Sequence, residues 1–380
     1  MKHSLSIYRN GKGWDQDLCK TMDSSSSMVL ILAAPSYFNS PAIINEIISS
    51  YPNSHIIGCS TAGEINKSEL LEGSIICTLL QFNKTKLKSI SLPISSSENS
   101  FESGKKLAET LLADDLKAIF ILSEGLIING STLLDGVNSI LPKHIVVTGG
   151  LAGDGNNFKQ TWTIHNKSVK TNQIVAIGFY GENFNIFHGS YGGWDIFGPE
   201  RLVTKSKGNI LYEFDNQPAL QLYKMYLGQK SNELPASGLL FPLQIRKDLD
   251  DHQPLVRTIL GIDEKSQSLI FAGDIPEGYL AQLMSANFER LIDGAGKASS
   301  LLNLENITAP LYCCAISCVG RRLALGERVE DELEAAFNVL PKHALMTGFY
   351  AYGEISPTVK GEACSFHNQT MTITAFSEKE

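Results

Sequence analysis

Residues 141–155 read LPKHIVVTGGLAGDG, and residues 340–355 read LPKHALMTGFYAYGEI. A turn, a lysine-histidine pair, a short apolar run and a glycine loop thus occur twice. A fainter third copy, SHIIGCSTAGEI, covers 54–65 and ends in the same Gly-Glu-Ile as the last copy. Each copy closes a larger unit. MVLILAA at 28–34, KAIFILS at 117–123 and PLYCCAISCV at 310–319 predict buried strands. A helical stretch follows each one; in the third, Val329, Leu333, Ala336, Phe337 and Leu340 share one face. A chain repeating strand, helix, strand and glycine loop three times is expected to be α/β. Mixed β-sheets with flanking helices should place the glycine loops at strand ends, where such sheets hold ligands.

A length of 380 residues favours two domains. The polar, Pro- and Ser-containing stretch within 216–236 suggests the junction. The expectation is an N-terminal extension over 1–27, one α/β domain over 28–225 and a second over 226–380. TWTIHN, QIVAIGFYG, NIFHGSYGG and RLVTKS follow one another with turn residues between them, which predicts a meander. The net charge of −8 argues against nucleic acid or an acidic membrane as partner, since both need clustered Lys and Arg. No apolar run reaches the ~20 residues of a membrane helix, and the N-terminus lacks the apolar core of an export signal. The seven cysteines are odd in number and irregular in spacing, so reduced thiols in a cytoplasmic protein are expected. Cys313, Cys314 and Cys318 lack a C-x-x-C pair and do not spell a zinc site.

Glycine at strand ends lets backbone N–H groups approach a ligand. Gly58, Gly63, Gly153 and Gly353 are therefore candidates, and Glu64, Asp154 and Glu354 beside them can accept from an amine. The alternative is that these glycines only serve tight turns. Cys59, Trp194, Tyr352 and Asn368 complete the ligand set suggested by the loops and their neighbours. Phosphate-loop and serine-elbow motifs are missing. A cysteine nucleophile, Cys59 or Cys318 with His367 as base, competes with the reading of buried inert thiols, so the chain is not expected to be an enzyme. His188, among Phe187, Tyr191 and Trp194, is either a packed core histidine or an axial ligand to a flat cofactor. His367 opens the polar run HNQT, which reads as a pocket wall or an edge strand. His144 and His343 sit at helix exits, where a cation offsets the helix dipole.

GCSTAGEI, GGLAGDG, the segment from YGGWDIFGPERL to NQPALQLY, LLFPLQIR, FAGDIPEG, SCVGRRLALGER, GFYAYGEISP and FHNQTMTITAF together resemble the FIST proteins, over roughly 28–376. The resemblance implies a ligand-sensing module of signal transduction, here standing alone. Stand-alone chains of this size are similar to a subgroup called NosP, which carries haem, senses nitric oxide and acts on a partner histidine kinase. That likeness implies non-covalent haem b. His188 and His367 would be its axial candidates, with His188 on the iron, and Arg246, Arg257, Arg321 and Arg322 would meet the propionates. The alternative within the same family is a colourless module that senses a polar metabolite such as an amino acid. Whether the chain forms a homodimer is left open by the sequence.

Overall fold

Near-continuous apolar runs are what parallel strands covered on both faces require, and Ser27–Ala33, Leu116–Ser123 and Leu311–Cys318 are such strands, buried along their length. The computed structural model describes residues 1–251 and 254–379; His252 lies outside them. Each of the three strands pairs in parallel with the strand that follows it: His55–Ser60, Val146–Leu151 and Ala344–Ala351. Helices Ala42–Ser50, Gly130–Asn138 and Val329–Val339 make the crossovers. A return strand lies antiparallel on the other side of each first strand, formed by Ser74–Gln81, Gln173–Tyr180 and Met371–Glu378. An outer strand follows it, formed by Lys2–Arg9, Lys86–Pro93 and Phe184–Tyr191. The α/β class with mixed sheets and flanking helices is what the structure shows, built as three units of one topology.

The units are not separate. A hairpin follows each second strand and leaves its own sheet for that of a neighbour. Glu64–Asn66 of the first unit pairs with the third unit's second strand, Thr163–His165 of the second with the first's, and Gly353–Pro357 of the third with the second's. The register repeats in all three: Ile65 lies opposite Gly348, Ile164 opposite Gly58, and Ile355 opposite Gly149. Those glycines answer the question the repeated motif raises. A Cβ on Gly58, Gly149 or Gly348 would lie 2.3, 1.9 or 1.8 Å from the carbonyl oxygen of Ile31, Ile121 or Ala315, its partner in the parallel strand. Gly58 is therefore a close-packing position, not a ligand position. One face of each sheet meets in a shared core that includes Leu30, Ile57, Phe120, Ile177, Tyr312, Phe349 and Phe376.

A fourth sheet is inserted between the outer strand Phe184–Tyr191 and the helix Phe288–Ser300 of the third unit. It includes Asp195–Lys207, Leu243–Arg246 and Leu280–Ser285, with Leu211, Phe214, Tyr223 and Phe271 in its own core. One expectation needs correction here. The supposed meander is distributed over four sheets, because each of its strands closes a different unit. The stretch 216–236 falls inside the inserted sheet and its helix Ala219–Leu227. Residues 2–9, expected to precede the first domain, are hydrogen-bonded along the return strand Ser74–Gln81. Among the described residues no helix is long and apolar enough to cross a membrane.

Gly348→Ala should destabilise the chain by about 3 kcal/mol, the range for an added methylene that meets backbone. A urea midpoint unchanged from the wild type would show that the strands can separate at this point without cost.

Candidate functional site

Where the inserted sheet meets the third unit, a cavity of about 600 Å³ opens. Its walls come from the segment Ser190–Trp194, the face of helix Phe288–Ser300 carrying Arg290, Asp293 and Lys297, the inserted residues Gln244, Val256 and Met284, and the turn around His367 and Thr370. Trp194 is held by its indole N–H, which donates to the Gln369 carbonyl at 2.8 Å. Arg290 pairs with Asp195 at 2.5 Å, and the Lys297 ammonium lies 5.0 Å from the Tyr191 ring centre.

His367 ends the exchanged hairpin, opposite Glu354. Burial pushes its pKa down to about 4, further than the Ser356 carbonyl can restore, so the ring is neutral at pH 7. Its Nε2 lies 2.9 Å from that carbonyl. A carbonyl only accepts, so Nε2 carries the proton and Nδ1 keeps its lone pair. His188 is half-buried on Phe184–Tyr191, with its pKa lowered by burial and by Lys360. It is not among the residues that line the cavity.

Arg321 lies wholly buried behind this wall. It donates to the Glu332 carboxylate at 2.6 and 2.9 Å, to the Leu291 carbonyl at 2.7 Å, and to the Gly192 carbonyl. Glu332 accepts in addition from Ser317 at 3.0 Å and Tyr350 at 2.9 Å. Arg321 therefore fixes the cavity's backbone from inside and has no free face for a ligand. The other arginines expected at propionates are engaged elsewhere. Arg322 donates to the Ala62 carbonyl and to Glu72. Arg246 grips Glu200 at 2.7 and 2.9 Å. Arg257 donates to the Asp274 and Phe366 carbonyls at 3.0 and 2.9 Å.

The glycine-loop acids divide into three cases. Glu64 is buried and accepts from Ser74 N–H at 3.0 Å, Ser74 Oγ at 2.6 Å and the Thr61 hydroxyl; burial raises its carboxyl to about 7. Asp154 accepts backbone N–H groups of Phe158, Lys159 and Gln160 at 2.9 Å each, and the Tyr352 hydroxyl, so it shapes its own turn. In register it is Thr163, not Asp154, that corresponds to Glu64 and Glu354, since each of the three precedes the isoleucine facing a glycine. Glu354 takes Thr370 N–H at 3.2 Å and Thr370 Oγ1 at 2.7 Å on one oxygen. Beyond these the carboxyl meets only the weakly donating Cys318 thiol, and burial raises it to about 8; the side-chain carbonyls of Asn368 and Gln369 in the turn it caps have no partner. Thr61 explains the difference: the third copy has Ala351 at that place, with no hydroxyl to give.

The remaining candidates are structural. The Gly63 carbonyl accepts from Tyr350 N–H at 2.9 Å, Gly153 N–H donates to the Ser60 carbonyl at 3.0 Å, and Gly353 makes room for the Phe366 ring. Tyr352 stacks on Phe158 with ring centres 4.5 Å apart. Cys59 and Cys318 are buried with thiols pushed up, Cys59 by burial and Cys318 by burial and by Glu354, the reverse of an activated nucleophile. Among the described residues no cluster of three metal-ligating side chains occurs. Sequence reasoning missed Arg290, Asp293 and Lys297. The signal was present, because positions i, i+3 and i+7 form a polar stripe on one face of this helix.

A three-unit α/β scaffold with one inserted sheet and a cavity at the insertion is the class that fold and site define. The FIST N domain matches residues 27–217 and the FIST C domain residues 219–357, so the chain belongs to the FIST family. An uncharacterized protein of Methanocaldococcus jannaschii is 25% identical over 362 residues, 83% of this chain and 66% of that protein. The chain thus spans just under two thirds of that relative's length. A chorismatase crystal structure aligns over 99% of this chain and 98% of its own at 9% identity, with a TM-score of 0.36. A cyanuric acid hydrolase from A. caulinodans aligns over 78% and 100% at 8% identity, with a TM-score of 0.19.

Arg321→Ala should cost about 3–5 kcal/mol, because Glu332 would be left buried without its partner; the denaturation midpoint reports it, and a loss below 1 kcal/mol would contradict the geometry. Acid should also destabilise the fold through His367. Its folded value of about 4 lies below the unfolded value of about 6.5, so the unfolded chain binds the proton first. Stability should hold above pH 7, fall as pH drops through 6.5 and level off in this contribution below 4. His55, His165 and His188 are shifted in the same direction by burial and add to the loss. In His367→Gln the fall between pH 7.5 and 5 should be smaller than in the wild type.

Proposed function

We propose that this FIST chain is a haem-based nitric-oxide sensor that holds haem b in the 600 Å³ cavity and regulates a separate histidine kinase. The observation that carries the reading is His367: a buried, neutral imidazole in the cavity wall, one nitrogen tethered to a carbonyl and the other with a free lone pair. Tethering of the second ring nitrogen to a backbone carbonyl is what orients metal-ligating histidines. The residues present fit the group. Trp194, Val256 and Met284 offer apolar wall, and Lys297, with Arg290 held beside it by Asp195, offers cationic charge for carboxylates in place of the four arginines expected from the resemblance. The reading moves the iron ligand from His188 to His367. Haem b, when bound, supplies an iron that takes nitric oxide.

The chain's own residues supply the relay. Arg321 joins the Gly192 carbonyl at the cavity to Glu332 on helix Val329–Val339. A shift of the Gly192–Trp194 backbone therefore loads an ion pair that cannot loosen cheaply in a dry interior, and the helix carrying Glu332 follows. To switch a partner usefully, the two states must differ in affinity for it by about 1–3 kcal/mol. The kinase and nitric oxide rest on the family resemblance.

The test is an absorption spectrum of protein from haem-supplemented cells, before and after dithionite and nitric oxide. A Soret band that shifts with nitric oxide, is lost in His367→Ala and persists in His188→Ala is expected. A chain that stays colourless on haem titration overturns the reading and leaves a metabolite-sensing FIST module.

A further inference from the structure

A second, smaller pocket of about 140 Å³ shares no lining residue with the large cavity. Four strand ends meet in it. Leu126 follows Leu116–Ser123, Leu151 ends Val146–Leu151, Cys318 ends Leu311–Cys318, and Tyr352 follows Ala344–Ala351. These are the carboxyl ends of the parallel pairs of the second and third units, the place where open α/β sheets hold ligands. The insertion closes the space from the opposite side with Thr258 and Phe271. The pocket reaches the surface beside Phe158 and Leu260, lining side chains that stay exposed.

Among the described lining residues no side chain is charged. Most of the polar ones are spent within the protein. The Tyr352 hydroxyl donates to Asp154, the Asn209 amide donates to the Phe271 carbonyl at 2.7 Å, and the Cys318 thiol meets Glu354. Thr258 is the exception. It is 4% exposed, it lines the pocket, and its hydroxyl has no hydrogen-bond partner among the described residues. A buried hydroxyl without a partner is rare and costly. An ordered water would need about two to four polar partners, and the side chains of this pocket leave one.

We propose that this pocket binds a small neutral hydrocarbon that carries one oxygen, as a hydroxyl or a carbonyl. The Thr258 hydroxyl both donates and accepts, so either group completes it, and the apolar walls take the carbon body. The volume is close to the roughly 150 Å³ that admits benzene in an engineered apolar cavity, which limits that body to about one six-membered ring. Charge is excluded, because an ammonium or a carboxylate would be buried here without a counter-ion. The site does not depend on haem.

The purified full chain is titrated by calorimetry at pH 7.5 with benzyl alcohol, toluene, benzylammonium and benzoate, one ring in four polarities. Saturable binding of the alcohol and of toluene is expected, and no binding of either ion. Thr258→Val keeps the shape and removes the hydroxyl. It should weaken the alcohol about fivefold, the loss of one neutral hydrogen bond, and leave toluene unchanged. Ala272→Leu adds bulk to the lining and should abolish binding of both. Melting temperatures without ligand show that the variants are folded, and Thr258→Val should melt no lower than the wild type, since the hydroxyl it loses has no partner. No binding of the alcohol, binding of either ion, an equal change for alcohol and toluene in Thr258→Val, or unchanged affinity in folded Ala272→Leu would overturn the assignment.

Discussion

The structure depends on the exchange of three hairpins. Each unit completes the sheet of a neighbour, and the contact is always an isoleucine against a glycine whose missing side chain lets two strands and a hairpin approach. The cycle closes: first unit onto third, third onto second, second onto first. No unit can bury its second strand alone, so the core they share forms only when all three are present. Pairings such as Ile65 with Gly348 span most of the chain, and loop closure over that distance is costly before contacts reward it. Folding of such a topology is expected to be slow and cooperative. The end of the chain is tied in the same spirit. Glu378 on the last strand accepts the N–H groups of Asn83, Lys84 and Thr85, and these bonds overcome burial and hold its carboxyl down at about 2.

Duplication gives three equivalent positions, and what distinguishes them is where chemistry can enter. Glu64 and Glu354 each cap the start of a return strand through a hydroxyl and an N–H, and Thr163 reaches the Gln173 carbonyl at 3.2 Å in the second unit. Among the described residues, only the third unit combines a carboxyl whose second oxygen meets no nitrogen or oxygen donor with an inserted sheet. A buried acceptor without a donor is expensive, and a scaffold that satisfies the same acid elsewhere shows that satisfaction is available to it.

The repeat, the strand–helix–strand order and the helix faces were legible because apolar periodicity is local. The glycine-acid loops were legible as loops, but their role was not. Gly58 looked like a ligand-facing glycine, yet its reason lies in Ile31 across one strand pair and Ile164 from another unit, contacts that sequence spacing does not encode. Asp154 looked equivalent to Glu354 by its position after glycine, but an extra loop in the second unit shifts the register so that Thr163 takes that place. Arg321 looked like a propionate ligand because the family likeness implies haem and an arginine can meet a carboxylate. Glu332, which neutralises it, sits eleven residues away on a helix face read for its apolar positions. His367 was singled out by its polar run, while its tethered nitrogen required the fold.

The insertion also explains why both cavities lie where they do. In the first two units the outer strand leads on to the next element of the same unit. In the third, residues 195–285 leave and return at one edge, and a sheet with its own core is laid across strand ends. Two independently packed bodies rarely match at every point, because each is already at interior density. The mismatch is left as space on both sides of the 367–370 turn. That turn is held by Glu354 from below, by the Trp194 indole on one flank and by the Leu239 carbonyl on the other. Leu239 belongs to the insertion and Trp194 immediately precedes it, whereas Glu354 belongs to the scaffold. A movement of the inserted sheet against the third unit must therefore strain this turn first, and anything that fills either cavity acts on the same four residues.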